Sequence, residues 1–366
     1  MKRFALAIMA LLFLGAGAGS PAYALNDFEK AVRSVIQHSQ SRDYEKYSSR
    51  RHHAPASAHG YLGACYPNLG KNGDPQDIGR AVQGVSVDEI DNILYFTGNR
   101  TSGQTEIFAM KWDANDPRKR VFLARSGPLW QVFSHQGTVV YRPSKNSRTL
   151  FFTGGNAAAS SYVKDDKADL LRLKLVAWDY RNPKKAEVLR SWQLFDAKKY
   201  ETSHLNVAIT PDNRQIIARA KRKRDNVYVF RIWDVKRLLS MPEMENADAR
   251  EAYAKTCVSA WGTKKKDGQS VAYDGKYIYL LSSNKALGPH SISIMDDRGN
   301  RVTETLKSTE GQEVYPQASR AEGEAIFFIH RHGRPVPVMA VYVQIPEPAR
   351  KYCLFYDISR KNPALR

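Results

Sequence analysis

The chain has 366 residues, 42% of them apolar and 11% aromatic, which is enough for a packed core and excludes wholesale disorder. Its 56 Lys and Arg against 37 Asp and Glu leave a formal charge of +19, so acidic glycans, lipopolysaccharide and anionic lipid are the expected partners ahead of nucleic acid. Three cysteines without CxxC or paired-His spacing exclude a zinc framework, and no metal or cofactor is expected.

Lys2 and Arg3 precede an apolar run from Phe4 to Leu14 that is short for a membrane span, and Ala22-Tyr23-Ala24 offers small residues where a signal peptidase reads. Residues 1–24 therefore read as a signal peptide, which predicts a secreted or periplasmic protein. Losing Lys2 and Arg3 takes the charge from +19 to +17. No later segment is apolar enough over a sufficient length to span a bilayer. Residues 25–60, rich in Ser, His and Arg, read as a basic polar arm with helical spacing only around Phe28 to Ile36. His52, His53 and His59 fall in it without ligand spacing.

From Val82 onward the sequence repeats. An aromatic or apolar residue followed by Asp closes an apolar stretch five times: Trp112-Asp113, Trp178-Asp179, Trp233-Asp234, Met295-Asp296 and Tyr356-Asp357. Upstream of each lies a β-rich triplet preceded by turn residues: Asp91-Asn92 before Ile93, Asn146-Ser147 before Leu150, Asp212-Asn213 before Gln215, Asp274-Gly275 before Ile278, and Glu322-Gly323 before Ile326. Arg120 to Leu123, Ala186 to Leu189 and Val302 to Thr305 read as polar-faced outer strands.

Four antiparallel strands per unit, repeated five times, predict an all-β fold, a five-bladed β-propeller over 61–366 with blades near 82–126, 135–193, 203–260, 268–308 and 313–357. Val235 to Lys255 reads as a short helical insertion. Only nine residues follow Asp357, so a segment near Tyr61 to Tyr66 is expected to complete the last blade. Of the three mature cysteines, Cys65, Cys257 and Cys353, at most two can pair within the chain. Cys65 with Cys353 is the candidate that would fix this closure, with the other pairings open.

Hydrolase elbows, HExxH and phosphate loops are absent, and Ser282-Ser283-Asn284-Lys285 matches SxxK only after a strand, where that motif has no helix to open. Gln83, Gln136, His204, Gln269 and Gln317 recur near the starts of the predicted inner strands and would ring a channel mouth, where amides suit sugar hydroxyls, ordered water or one another and supply no nucleophile. Asp88, Glu201 and Glu313 are the nearest carboxylates for a glycosidase, but they sit at different offsets within their blades. Basic runs at Arg118-Lys119-Arg120, at Lys221 to Arg224 (with Arg222 and Arg224) and at Lys264-Lys265-Lys266 are candidates for an anion-binding face or for loops that solubilise hairpins.

Two stretches carry a family resemblance: Ser203-His204-Leu205-Asn206-Val207-Ala208-Ile209-Thr210-Pro211-Asp212 continuing through Tyr228 to Asp234, and Gly268 to Tyr279 followed by Ser282-Ser283. They resemble successive blades of the helveticin-type class III bacteriocins. The resemblance implies a secreted, non-enzymatic protein that kills related bacteria, with no catalytic residues to transfer. The export signal, the arm and the high charge depart from that family. The expected function is thus a bacteriocin-like or toxin-like propeller that binds an anionic or glycan cell-surface ligand without catalysis. A propeller-type extracytoplasmic carbohydrate-active enzyme and a protein-binding scaffold are the alternatives.

Overall fold

The computed structural model describes residues 47–48, 61–65, 82–99, 105–112, 121–126, 138–154, 171–201, 205–242, 253–259, 268–283, 287, 290–303, 306–308, 316, 318–346 and 350–359. Residues 42–366 form one compact unit, and residues 1–41 lie outside the described residues.

Five antiparallel sheets make the five blades of a β-propeller. Blade one holds β3 (Val82–Asp88), β4 (Ile93–Asn99), β5 (Thr105–Lys111) and β6 (Val121–Arg125), with β1 (Tyr47–Ser48) added outside β6. Blade two is β7 (Thr138–Tyr141), β8 (Leu150–Gly154), β9 (Arg172–Trp178) and β10 (Ala186–Gln193); blade three is β11 (Asn206–Ile209), β12 (Gln215–Lys221), β13 (Tyr228–Asp234) and β14 (Lys255–Val258). Blade four is β15 (Gly268–Tyr273), β16 (Tyr277–Ser282), β17 (His290–Asp296) and β18 (Leu306–Ser308). Blade five is β19 (Arg320–Arg331), β20 (Arg334–Ile345) and β21 (Arg350–Asp357), completed on its outer edge by β2 (Tyr61–Cys65). The inner strands β3, β7, β11, β15 and β19 neighbour one another in that order, and β19 returns to β3.

The burial pattern explains why the second and third strands of a blade read as continuous apolar runs. Both faces of β12 and β13 are covered by neighbouring blades, so nearly every residue is buried, whereas the outer β10 exposes its first residues. The residue before each repeated Asp is the interblade wedge. Trp178 meets Tyr95 and Phe151 of blades one and two, and Trp112 meets Phe355 of blade five with ring centroids 6.0 Å apart. The Asp itself ends the third strand by accepting a backbone N–H ahead of it: Asp179 from Arg181, Asp296 from Arg298 and Asp357 from Ser359, each at 2.9 Å. Asp234 does the same for Arg237 N, which starts the one-turn helix α1 (Val235–Ser240).

The hairpin turns fall where the sequence places them in four blades, with left-handed residues at Asn92, Asn213 and Gly275 in blades one, three and four. Blade five differs. Glu322-Gly323 is not a turn; it lies inside the twelve-residue β19, where Gly323 marks a bulge in the pairing with β20. The turn is His332-Gly333, both at positive φ as a two-residue hairpin needs, so Ile326 to Phe328 belongs to the inner strand and not to the second. Blade four's outer strand is Leu306–Ser308 and not Val302 to Thr305, because Val302 N and Thr303 N bond the Ile294 carbonyl before the ladder begins. The expected insertion after blade three is helical over Val235–Ser240, while Lys255 already belongs to β14.

The N-terminal segment ties the ring. Tyr47–Ser48 pairs with blade one and Tyr61–Cys65 with blade five, the two blades that meet where the chain's ends close the circle. Pairing β2 to β21 covers an edge that would otherwise expose unpaired backbone groups. Among the described residues, no helix is long and apolar enough to cross a membrane.

Candidate functional site

The central channel has two ends. At the starts of the inner strands, the amides serve mainly as interblade fasteners. Asn206 Nδ2 donates to the Gln269 carbonyl at 2.8 Å, and Gln269 Nε2 donates to the Ser283 carbonyl at 2.9 Å. Arg219, buried on β12, donates through Nη2 to Asn206 Oδ1 and to the Gly268 carbonyl at 2.7 Å, and its guanidinium stacks 4.3 Å from the Tyr228 ring centroid. Tyr228 OH in turn accepts the Gly268 N–H at 3.0 Å. Gly268 is required here because a Cβ would stand 1.7 Å from Arg219 Nη1.

Gln83 is half-buried and bonds its neighbour's carbonyl, Val82 O, at 3.3 Å. Gln136, His204 and Gln317 lie outside the described residues. Of the predicted ring, the structure therefore places Gln269 in a network with Asn206, and gives Gln83 no bond to that network.

At the opposite end, where the inner strands finish, an axial cavity of about 330 Å³ is built by all five blades. Its walls are apolar, including Val139, Ala208, Ala272 and Phe328; its polar rim is Asp88, Glu89, Arg142, Thr210, Asp212 and Asn213. The rim is held by bonds between blades. Arg142 Nη1 lies 2.6 Å from both Asp88 Oδ2 and Asp91 Oδ2, and Nη2 donates to the Lys145 carbonyl at 3.0 Å. Burial alone would lower the Arg142 pKa, but bonding to Asp91 and Asp88 outweighs it and raises the value, so the group is a fixed cation.

Asp88 also accepts from Thr149 Oγ1 at 2.8 Å and from the N–H groups of Ile90 and Asp91. A carboxylate so fully engaged organises the hairpin and ties it to blade two. Glu89 Oε2 meets His330 Nδ1 at 2.5 Å, tying blade one to blade five at the same rim. Among the described residues, the ionisable groups that line the cavity are three carboxylates, Asp88, Glu89 and Asp212, against one guanidinium, Arg142. The rim is thus net negative within a chain of charge +19.

The other candidates are dispersed. Glu201 pairs with Lys221 at 3.3 Å and its N–H bonds the Lys221 carbonyl, at the end of the molecule away from Asp88, while Glu313 lies outside the described residues. Asp88 and Glu201 therefore do not form a glycosidase pair. Ser283 Oγ lies 3.2 Å from His290 Nδ1, but both are buried and both accept from the Gly323 N–H, which makes them a strut between blades four and five. Arg222 is clamped to Asp225 by two bonds of 2.9 and 2.6 Å, whereas Arg224 is three-quarters exposed. Arg118 to Arg120, Lys264 and Lys265 lie outside the described residues.

Sequence reasoning missed Arg142, Thr210, Asp212 and Phe328. The one available signal was the hairpin Asp residues, Asp88 and Asp212, at the ends of inner strands.

No known protein family matches the chain, and no curated protein matches it. Among solved structures it is similar to the tail fiber of Staphylococcus aureus phage P68, with TM-score 0.50 and 13% identity over 93% of this chain and 58% of that one. It thus spans little more than half the length of the fiber chain. It is also similar to the Dos1 propeller (TM-score 0.34, 10% identity, 76% of this chain and 68% of that one). A third is the periplasmic gluconolactonase PpgL of Pseudomonas aeruginosa (TM-score 0.35, 11% identity, 74% and 70%). At these identities the likeness concerns the fold, and none of the three is a helveticin-type bacteriocin.

Proposed function

We propose that the chain is an exported binding propeller that holds a neutral, hydroxyl-rich glycan ligand in its axial cavity without transforming it. The observation that carries this is the composition of the cavity: apolar walls from five blades beneath a rim of Asp, Thr and Asn groups whose net charge is negative. Such a rim offers carboxylate acceptors to sugar hydroxyls, with Thr210 held by Asp212 and Asn213 by the Arg142 carbonyl, and its excess of carboxylates disfavours anions. The charge of +19 then acts elsewhere, drawing the whole molecule to an anionic envelope over a range set by salt. The resemblance to helveticin-type bacteriocins extends this reading to an effector that inhibits other bacteria, which a growth-inhibition assay with the purified chain tests.

The direct test is a screen of residues 25–366 against neutral and acidic oligosaccharides, lipopolysaccharide and anionic vesicles at low and at physiological salt. Neutral oligosaccharide binding that persists at physiological salt is expected, with vesicle binding that fades. Ile209→Trp, which fills the cavity from the half-buried end of β11, should weaken the oligosaccharide at least tenfold and leave vesicle binding unchanged. Binding to anionic vesicles alone would contradict a cavity ligand, and the absence of all binding would favour a protein-binding scaffold.

A further inference from the structure

We propose that the β19–β20 hairpin is an anion-binding finger beside the axial cavity, and that the glycan seated in the cavity carries a carboxylate or a phosphate on the unit next to the seated sugar. This rests on the cavity reading above and adds the chemistry of what continues outside it.

The finger follows from strand register. Counted from the bulge in each inner strand, the β19–β20 ladder runs from Ala325 opposite Ala340 to Arg331 opposite Arg334, seven pairs. The β3–β4 ladder runs from Gly84 opposite Thr97 to Asp88 opposite Ile93, five pairs, and β15–β16 from Ser270 opposite Leu281 to Tyr273 opposite Ile278, four. At about 3.3 Å per residue, the two or three extra pairs carry the tip roughly 7–10 Å beyond the ladders of blades one and four. Phe328 still lines the cavity, and His330 to Arg334 lie past it. The third strand stops short: β21 pairs with β20 only as far as Val338 opposite Asp357, so the ladder from Phe328–Pro337 to Arg331–Arg334 is a two-stranded ribbon. Pro335 and Pro337 fix φ in β20 and stiffen it.

Two noncovalent ties set the finger's position. His330 donates its N–H to Glu89, and its Nδ1 lies 2.5 Å from Glu89 Oε2 at the cavity rim. Arg331 Nη1 lies 3.8 Å from Asp357 Oδ2. Below it on β21, Cys353 is a free, buried thiol, contrary to the cross-link to Cys65 expected from the sequence. The ties leave Arg334 exposed at the tip, and among the described residues its guanidinium has no ion pair. His332, also exposed, stands across the turn and offers a further ring nitrogen.

A guanidinium presents a planar donor fork that a carboxylate or phosphate accepts through two parallel bonds. Placement also fixes direction. The acidic rim disfavours an anion, while the fingertip stands about a Debye length past Asp88 at physiological salt and favours one. A glycan therefore enters with its neutral end first and leaves its anionic unit against Arg334.

The test is a calorimetric titration of the full chain with three matched oligosaccharides: the tightest neutral one from the screen, and the same compound carrying glucuronic acid or a phosphate next to the terminal sugar. At physiological salt at least one anionic member should bind about fivefold tighter than the neutral one, and which of them does so identifies the group. Arg334→Gln should erase that difference and Arg334→Lys should keep part of it, both with the neutral member's affinity unchanged. Arg224→Gln, which removes a three-quarters exposed arginine from blade three, should keep the full difference. Equal affinity for all three members, a preference that survives Arg334→Gln, or one that falls equally with Arg224→Gln would overturn the finger, and the cavity reading would stand as long as Ile209→Trp still weakens every member. Indifference of all three to Ile209→Trp would overturn the cavity reading and the finger with it.

Discussion

Replacing Asp88 by Ala is expected to cost about 3–5 kcal/mol in chemical denaturation, because it leaves the Arg142 guanidinium buried with one carboxylate partner instead of two. Asp88 accepts from Arg142, from Thr149 and from two backbone N–H groups, so the substitution also unravels the β3–β4 hairpin and loosens blade two from blade one. Asp91, 2.6 Å from Arg142 but 40% exposed, compensates in part. Arg142→Leu placed on the Asp88→Ala background should therefore recover stability, since it removes the stranded charge. If Asp88→Ala unfolds at the same denaturant concentration as the native chain, the ion pair is not a structural tie between the blades.

Gly268→Ala is the second large effect, about 3 kcal/mol, at the upper end of the cost of overpacking a core. The added methyl would meet Arg219 Nη1 at 1.7 Å and Cζ at 2.7 Å, with Leu280 Cδ1 at 3.0 Å behind it. Arginine tips usually yield, but this one is almost fully buried and fixed between Asn206, the Gly268 carbonyl and the Tyr228 ring. To move, it must abandon bonds in a place that water cannot reach. The two positions should couple strongly. Arg219→Met costs stability alone, yet on the Gly268→Ala background it should cost little further, and simple additivity in denaturant titrations would show that the clash is relieved some other way.

These two sites mark what the sequence could and could not reveal. The repeated Asp after an apolar residue was legible because it performs one local task, capping the third strand, with partners two or three residues on. Hairpins with Asp-Asn or Asp-Gly were legible for the same reason. Blade five was misphased because Glu322-Gly323 has turn composition while the chain uses Gly323 for a bulge, and the real turn, His332-Gly333, sits beyond an unusually long inner strand.

The site was harder. A polar residue recurring at strand starts has the same periodicity as one recurring at strand ends, so spacing pointed to the amide end. What decides is packing between blades: Arg219 reaches Gly268 across 49 residues and Arg142 reaches Asp88 across 54, pairings that no local pattern encodes. Total charge does not report the local charge of the cavity. The total of +19 suggested an anionic ligand, whereas the residues gathered at the cavity rim are mostly acidic.

The most direct measurement is a calorimetric titration of the tightest oligosaccharide from the screen against three proteins: the native chain, Ile209→Trp at the cavity, and Gln269→Ala at the opposite end of the channel. The cavity account predicts that Ile209→Trp weakens binding at least tenfold while Gln269→Ala leaves it unchanged. Binding lost with Gln269→Ala and kept with Ile209→Trp would contradict it and place the ligand among the amides.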